Sequence, residues 1–162
     1  MRLYLIGMPG CGKSTLGKKL SKKLNYEFID MDNYIEQKAC MFIDEIFDSY
    51  GEEYFRALET NTLNEFKELD NVIISTGGGI IKNKNNKELM DGKCIYLYVE
   101  PAELEKRLDK SNIVRPLLKE KTVHELYAER KDLYDYFKDI EIDNSDMDIA
   151  INKIVEALKW RY

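Results

Sequence analysis

A glycine-rich segment near the beginning of the chain restricts its fold more than any other feature. The segment reads Gly7-Met8-Pro9-Gly10-Cys11-Gly12-Lys13-Ser14-Thr15. The apolar residues 3–6 come directly before it, and Leu16, Leu20 and Leu24 recur at helical spacing directly after it. We therefore predict a buried strand, a tight turn and a helix in succession, with the glycines in the turn.

This pattern is typical of a loop that binds the phosphates of ATP or GTP, and each residue type in it meets a chemical need. Glycines allow backbone N–H groups to approach the phosphates, and the N-terminus of the following helix adds a partial positive charge. Lys13 is expected to reach the β- and γ-phosphates, and the Ser14 hydroxyl is expected to bind Mg2+. The residues of this loop predicted to bind nucleotide are Gly10, Cys11, Gly12, Lys13, Ser14 and Thr15.

Length and composition are those of an ordinary globular domain. The chain has 162 residues, of which 44% are hydrophobic and 34% are charged, and this length suits one domain with a sizeable core. A formal net charge of -5 argues against a nucleic-acid partner. The three cysteines are odd in number and widely spaced, which argues against a disulfide framework or a zinc site and favours a reducing, cytoplasmic setting. We also expect no signal peptide and no membrane-spanning segment.

Short apolar runs alternate with longer helical patterns along the chain, which predicts an α/β fold with a mainly parallel sheet. The predicted strands are 3–6, 27–29, 72–75, 94–99 and 140–142. The predicted helices are 14–24, 33–38, 43–49, 52–68, 83–90, 102–109, 122–137 and 146–160. No repeat, low-complexity tract or linker interrupts this alternation.

Polar or glycine-rich residues follow the first three predicted strands. The phosphate-binding loop follows the first strand, Asp30-Met31-Asp32 follows the second, and Thr76-Gly77-Gly78-Gly79 follows the third. Ligands of open parallel sheets bind at the carboxyl ends of the strands. We therefore expect these three features to form one crevice, although they are far apart in sequence.

Asp30 and Asp32 are the predicted carboxylates of this crevice. Phosphoryl transfer needs a carboxylate near Mg2+, and often another that orients or deprotonates the attacking hydroxyl. The alternative is that one of them only caps the next helix, since aspartate is a preferred N-cap residue. Many phosphate-loop proteins have a metal-binding aspartate after the third strand, but Ser75 ends that strand here. Asp30 is therefore the predicted metal carboxylate.

Gly77, Gly78 and Gly79 are either a flexible turn or a place where a ligand approaches the backbone closely. Three consecutive glycines are costly in backbone entropy, which favours the second interpretation.

Arg56 also has two interpretations. It lies off the apolar stripe of helix 52–68, with glutamates at helical spacing on both sides, so ordinary ion pairs on a solvated face would explain it equally well.

Two more arginines are candidates. Arg115 precedes Pro116 in a connection between two helices, where proline prevents helix formation. Such a loop suits a lid that closes over a triphosphate, although it would also serve as an ordinary charged connection.

Arg130 lies seven residues after Val123 on the inward face of helix 122–137. Because an inward charge needs a partner, we expect Arg130 either to pair with a fixed acidic residue or to hold an anionic substrate.

Taken together, these motifs resemble the shikimate kinase family over nearly the whole chain. The phosphate-binding loop alone would admit many kinases and ATPases, whereas the ordered set is specific. In order, the set is Asp30-Met31-Asp32; Gly51-Glu52-Glu53-Tyr54-Phe55-Arg56 with Glu59; Gly77-Gly78-Gly79; Val114-Arg115-Pro116-Leu117-Leu118; and Glu129-Arg130 followed by Leu133-Tyr134. The chain departs from the family pattern at Asp132, where a proline is common, and matches it only loosely at 143–145.

The resemblance implies the fold of the nucleoside monophosphate kinases: a three-layer α/β/α domain with a five-stranded parallel sheet in the order 2-3-1-4-5. It implies one kinase domain over 1–162, with a mobile lid at about 110–120 and a shikimate-binding region at about 32–60. The implied reaction transfers the γ-phosphate of ATP to the 3-hydroxyl of shikimate, a step in the synthesis of chorismate and the aromatic amino acids. The implied cofactor is Mg2+.

The family's residue roles transfer to matching positions only. Asp32 would hold the shikimate hydroxyls and orient or deprotonate the attacking one, while Asp30 would support Mg2+ through water. Arg56 and Arg130 would bind the shikimate carboxylate, and Gly77, Gly78 and Gly79 would line the same pocket. Lys13 and Arg115 would stabilise the transferring phosphoryl group. Arg107 resembles the residue that packs against adenine, although Glu103 four residues earlier also offers it an ordinary helix pair.

Two other functions stay open from the sequence. A related small-molecule kinase, of the gluconate kinase or nucleotide kinase type, shares the phosphate-binding loop but does not require two arginines on the acceptor side. A nucleotide-binding regulatory module without catalysis has no evident need for Asp32, Arg56 and Arg115 together. We expect a cytoplasmic monomer whose partners are shikimate and ATP, with no nucleic acid and no membrane.

Overall fold

The computed structural model describes residues 1–110 and 121–159, in which strands and helices alternate. The strands are β1 (Arg2–Ile6), β2 (Glu27–Asp30), β3 (Val72–Ser75), β4 (Lys93–Tyr98) and β5 (Ile140–Asp143). The α-helices are α1 (Lys13–Leu24), α2 (Met31–Ala39), α3 (Ile43–Tyr50), α4 (Glu52–Phe66), α5 (Asn86–Leu89), α6 (Pro101–Lys110), α7 (Val123–Phe137) and α8 (Met147–Lys159). A short 3-10 helix covers Ile80–Lys82.

The strands form one parallel sheet in the order β2-β3-β1-β4-β5. This confirms the predicted fold, and each predicted strand overlaps an observed one. The register sets Asp30 opposite Ser75, and Ser75 opposite Leu5. The carboxyl ends of the three strands β2, β3 and β1 are therefore adjacent at one edge of the sheet.

The centre of the sheet is buried on both faces. Leu3, Tyr4, Leu5 and Ile6 are consecutive in β1, and none of them is exposed to solvent. Because successive strand side chains point to opposite faces, helices must cover both sides of the sheet. The apolar runs that were predicted as strands thus lie in the middle of a three-layer structure.

Backbone geometry requires glycine where β1 turns into α1. Gly10 and Gly12 have φ values of 82° and 96°, which lie in the left-handed region that other residues seldom adopt. Gly12 is also the N-cap of α1, so the first turn of the helix opens directly onto the loop. The glycine pattern predicted this turn. Its geometry directs the N-terminus of α1 towards the loop.

The predicted helix 83–90 is wrong over its first part, because α5 contains only Asn86–Leu89. The Asn83 side chain accepts a hydrogen bond from the backbone N–H of Asn85, which closes a turn instead of a helix. The buried Asn86 amide donates to the Ile80 carbonyl at 2.8 Å and accepts from the Thr60 hydroxyl at 2.9 Å. The side chains of Asn83 and Asn86 thus form hydrogen bonds that hold the chain before α5 in a turn, and the helix is limited to a single turn.

The predicted lid at about 110–120, including Arg115, lies outside the described residues apart from its first position. Within the two described segments, none of the helices has the length and apolar character needed to cross a membrane.

Candidate active site

A cleft with a volume of about 530 Å3 opens at the carboxyl ends of β1, β2 and β3. It brings together the phosphate-binding loop, the aspartates after β2 and the turn after β3, as predicted from the order of the motifs. Its lining residues are Pro9, Gly10, Gly12, Lys13, Ser14, Thr15, Asp30, Asp32, Asn33, Ser75, Thr76, Gly78, Arg107 and Leu108.

The phosphate-binding loop holds its lysine close to its own backbone. The Lys13 ammonium donates hydrogen bonds to the carbonyls of Gly7 and Met8, at 2.7 and 3.1 Å. The loop closes further through the Cys11 N–H, which donates to the Met8 carbonyl at 3.1 Å. The lysine charge thus lies at the base of the loop, beside the N-terminus of α1, where a phosphate group would experience both.

A second loop, which follows β5, supports the phosphate-binding loop through Asn144. This residue is buried, and its side-chain amide donates to the Cys11 carbonyl at 2.7 Å. Its backbone carbonyl accepts from Arg107 Nη2 at 2.9 Å, while Arg107 Nε also pairs with Glu103 at 3.4 Å. The resemblance matches 143–145 loosely to the adenine-contacting loop of the family, and the support that Asn144 gives to the phosphate-binding loop was not predicted.

Ser14 and Asp30 lie in direct contact at the other side of the loop. The Ser14 hydroxyl donates to Asp30 Oδ2 at 2.8 Å and lies 3.2 Å from the Ser75 hydroxyl. Asp30 Oδ1 accepts from the backbone N–H of Asn33, so Asp30 also caps α2. The capping interpretation of Asp30 is therefore confirmed, while its second carboxylate oxygen faces Ser14 and stays the predicted metal carboxylate.

These oxygens suit a hard cation. Among residues 1–110 and 121–159, no three histidine, cysteine, aspartate or glutamate side chains form a metal-binding group. Mg2+ does not require such a group, because it is commonly bound by one or two carboxylates together with substrate phosphates and water. The pair of Ser14 and Asp30 beside a phosphate-binding loop fits that chemistry.

Each glycine of the turn after β3 lies against a different charged side chain. A Cβ atom on Gly77 would lie 2.9 Å from Asp32 Oδ1 and 3.0 Å from Glu59 Oε2. On Gly78 it would lie 3.1 Å from Arg130 Nη1, and on Gly79 it would lie 2.4 Å from Arg56 Nη2. The absence of side chains at 77–79 therefore allows two carboxylates and two guanidinium groups to converge on one short backbone segment.

Arg130 is buried, and none of the described carboxylates forms a hydrogen bond with it. Only 2% of the residue is exposed, and its Nε, Nη1 and Nη2 atoms make no hydrogen bond within the described part of the chain. An unpaired buried charge is costly, so a fold that keeps one has a reason to do so. The buried Glu59 carboxyl interacts electrostatically with Arg130, but no carboxylate accepts a hydrogen bond from its nitrogens in the described structure, so these donors are available to an anion.

Arg56 differs, because it has carboxylate partners. Its Nη1 donates to Glu59 Oε1 at 2.6 Å, and its Nη2 lies 3.3 Å from Glu52 Oε1. Lys82 binds the same Glu52 oxygen at 2.7 Å. The predicted ion pairs within the helix are therefore present. The Arg56 side chain is nevertheless only 16% exposed, and it faces the glycine turn instead of open solvent.

Glu59 is a candidate functional residue that sequence analysis treated only as part of a motif. It is fully buried, and its Oε2 has no hydrogen-bond partner among the described residues. Burial raises the pKa of its carboxyl to about 7, the ion pair with Arg56 opposes that shift, and the nearby charge of Asp32 adds to it. The helical spacing between Glu59 and Arg56 was visible in the sequence, but the burial that raises the pKa of Glu59 was not.

We predict that Glu59 makes stability depend on pH. Its ordinary pKa of 4.5 applies to the unfolded chain, so between about pH 4.5 and 7 the folded protein binds more protons. Stability therefore falls as pH rises through this window. From pH 5 to pH 8 the wild-type free energy of unfolding is expected to fall by roughly 2 to 3 kcal/mol more than that of Glu59→Gln.

Urea unfolding of both proteins at several pH values measures this difference. Glu53→Gln is the matched control, because Glu53 belongs to the same helix and is exposed. The control should follow the wild-type curve. Parallel curves for wild type and Glu59→Gln would mean that Glu59 titrates near its ordinary pKa despite its burial.

Comparison with known proteins agrees with this site. A model of the shikimate kinase family matches residues 9–159. The shikimate kinase of Clostridium botulinum (strain Okra / Type B1) is 45% identical over 166 aligned residues, which cover 98% of this chain and 97% of that protein. The chain also matches the bifunctional shikimate kinase/3-dehydroquinate synthase of Thermotoga maritima with 42% identity, over 87% of this chain but only 29% of the longer protein.

A solved structure gives the same result in three dimensions. The shikimate kinase of Acinetobacter baumannii, in complex with shikimate, superposes with a TM-score of 0.87 and 30% identity, and the match covers 99% of this chain and 94% of that one. Family model, curated relative and fold thus agree over nearly the full length. The chain belongs to the shikimate kinase family.

Proposed function

We propose that this chain transfers the γ-phosphate of ATP to the 3-hydroxyl of shikimate, giving shikimate 3-phosphate and ADP, in the pathway to chorismate and the aromatic amino acids. The observation that supports this best is Arg130. Its buried donors make no hydrogen bond among the described residues, and its Nη1 lies against Gly78 in the wall of the cleft that contains the phosphate-binding loop. An acceptor with a carboxylate would complete this arrangement, whereas a neutral acceptor would leave the charge unpaired.

The acceptor side would bind through the residues around 77–79. Arg130 and Arg56 present planar guanidinium groups from two different helices, and such groups suit a carboxylate because they can form paired hydrogen bonds. Glu59 holds Arg56 at 2.6 Å, so the Arg56 guanidinium is already oriented before a substrate arrives. The three glycines would leave room for the ring of the acceptor.

Asp32 would act on the hydroxyl that attacks. It lies in the first turn of α2, lines the cleft with Lys13 and Ser14, and adjoins Gly77. A carboxylate there can accept a hydrogen bond from the hydroxyl, orient it towards the γ-phosphate and take its proton. The acceptor carboxylate and the reacting hydroxyl would then be held at opposite ends of one molecule.

The ATP side would use the phosphate-binding loop. Gly10, Cys11, Gly12, Lys13, Ser14 and Thr15 would surround the phosphates, and Arg107 would lie beside the adenine. Lys13 would exchange its bonds to the loop carbonyls for the phosphate oxygens and stabilise the transferring group. Arg115, which the resemblance places in the same role, lies outside the described residues.

Mg2+ would be held by the Ser14 hydroxyl and, through water, by Asp30. When bound it neutralises charge on the β- and γ-phosphates. The two protein oxygens already lie 2.8 Å apart, so the site needs little rearrangement to accept a cation with its water molecules.

We further propose that the chain works as one kinase domain over 1–162, with a lid at about 110–120 and a shikimate-binding region at about 32–60. We expect a cytoplasmic monomer that has no nucleic-acid or membrane partner. Sedimentation of the purified protein measures its mass in solution, and a stable dimer would contradict the expectation of a monomer.

We predict that the purified protein consumes ATP only when shikimate and Mg2+ are both present. ADP release in a coupled assay measures the reaction, and omission of each component in turn provides the controls. Gluconate and a nucleoside monophosphate should each give no more ADP than ATP alone. If either of them replaces shikimate and shikimate itself has no effect, the chain is a related small-molecule kinase. If none of the three acceptors stimulates turnover, the regulatory-module alternative is favoured.

A further inference from the structure

Tyr134 lies on the same face of α7 as Arg130, one helical turn further along. It is fully buried, and its ring stacks on that of Tyr96 in β4, with centroids 4.7 Å apart and an angle of 11° between the planes. Its hydroxyl donates a hydrogen bond to the Gly78 carbonyl at 3.2 Å. A side chain from the core therefore reaches the middle of the glycine turn.

Both ends of this turn have other supports. At its start, the Thr76 hydroxyl donates to the Leu5 carbonyl at 2.8 Å. At its end, the N–H of Ile80 donates to the Gly77 carbonyl at 3.2 Å. Gly78 lies between these supports, and Tyr134 supplies the hydrogen bond that connects its carbonyl to α7.

The peptide between Gly78 and Gly79 is unusually free to rotate as a unit, because neither flanking residue has a Cβ atom. A trans peptide is planar, so the direction of the Gly78 carbonyl also sets the direction of the Gly79 N–H. A hydrogen bond from a buried ring that is fixed by stacking would hold this peptide in one orientation. The Tyr134 hydroxyl also interacts directly with the Arg130 guanidinium, so one hydroxyl would set the separation of Gly78 and Arg130.

We propose that Tyr134 is a positioning residue for the acceptor substrate. Its hydroxyl fixes the Gly78–Gly79 peptide relative to Arg130, so that the backbone and the guanidinium meet the substrate carboxylate together. Tyr134 itself does not touch the reacting atoms. This inference rests on the proposed function, because it assigns a residue to the binding of the same acceptor.

Tyr134→Phe removes only the hydroxyl and keeps the ring that stacks on Tyr96. The loss of one hydrogen bond that positions the site is expected to raise the KM for shikimate roughly 2- to 13-fold. The KM for ATP and the melting temperature should change little, since the phosphate-binding loop and the aromatic stack are intact. Tyr136→Phe is the matched control, because Tyr136 is on the same helix and is half exposed. It should behave as wild type.

A double-mutant cycle with Arg130→Lys separates positioning from a general structural effect. If Tyr134 acts by fixing the turn relative to Arg130, its removal should cost much less in the Arg130→Lys protein than in the wild type. Equal effects in both backgrounds would overturn the proposal. So would a Tyr134→Phe protein whose two KM values rise together as its melting temperature falls, or one with unchanged kinetics. Failure of the proposed function is distinct, because the wild-type protein would then show no activity with shikimate.

Discussion

Asp32→Asn is expected to lower kcat for shikimate phosphorylation by about 100- to 10,000-fold, the usual contribution of general acid–base catalysis. Asparagine has nearly the same shape as aspartate, but it cannot accept a proton from the attacking hydroxyl. The position of Asp32, beside Gly77 and in one cleft with Lys13, makes it the carboxylate best placed for that proton. The KM values should change less than kcat, because the arginines and the phosphate-binding loop remain in place.

Steady-state kinetics with both substrates varied measures this effect. Asp148→Asn is the matched control, since Asp148 is exposed on α8, and it should leave the kinetics unchanged. A near-normal kcat for Asp32→Asn would contradict the assignment as a general base. The side chain would then only orient the hydroxyl, which an amide oxygen can also do.

Arg130→Lys is expected to raise the KM for shikimate by about 10- to 150-fold, because a hydrogen bond to a charged group contributes roughly 1.5–3 kcal/mol. Lysine keeps the positive charge but loses the planar pair of donors that binds a carboxylate. The affinity for ATP should stay the same. The melting temperature should also change little, because Arg130 has no hydrogen-bond partner to lose in the described structure.

Calorimetric titration with each ligand and one thermal melt test this prediction. Lys131→Ala serves as the control, since Lys131 is the exposed neighbour of Arg130 on α7. A large fall in melting temperature with unchanged shikimate affinity would assign Arg130 to the scaffold. That result would remove the main support for a carboxylate-bearing acceptor.

The sequence by itself determined the framework of this protein. The glycines at 7–12 predicted a tight turn between a strand and a helix, and the structure forms this turn with left-handed conformations at Gly10 and Gly12. Continuous apolar runs predicted strands buried on both faces, and alternation with helical patterns predicted a parallel sheet. These inferences succeeded because they depend on local geometry and on the period of hydrophobic residues. The placement of three motifs in one cleft followed from the same rule, since strand ends in a parallel sheet share an edge.

The tertiary structure alone decided how deeply the charged side chains are buried and which of them lack a hydrogen-bonded partner. Arg56 is paired with Glu59 at 2.6 Å, as its helical spacing allowed, whereas the nitrogens of the inward Arg130 make no hydrogen bond among the described residues. The raised pKa of Glu59 arises from burial by segments that are distant in sequence. The bond from Tyr134 to Gly78 joins residues 56 positions apart. Helical spacing already indicated the pairs of Arg56 and the inward face of Arg130. The depth of burial, and whether an inward charge meets a carboxylate, depend on which distant segments come together. The sequence could therefore name the site's residues, whereas only the folded chain could determine which of them are paired with each other and which face the substrate.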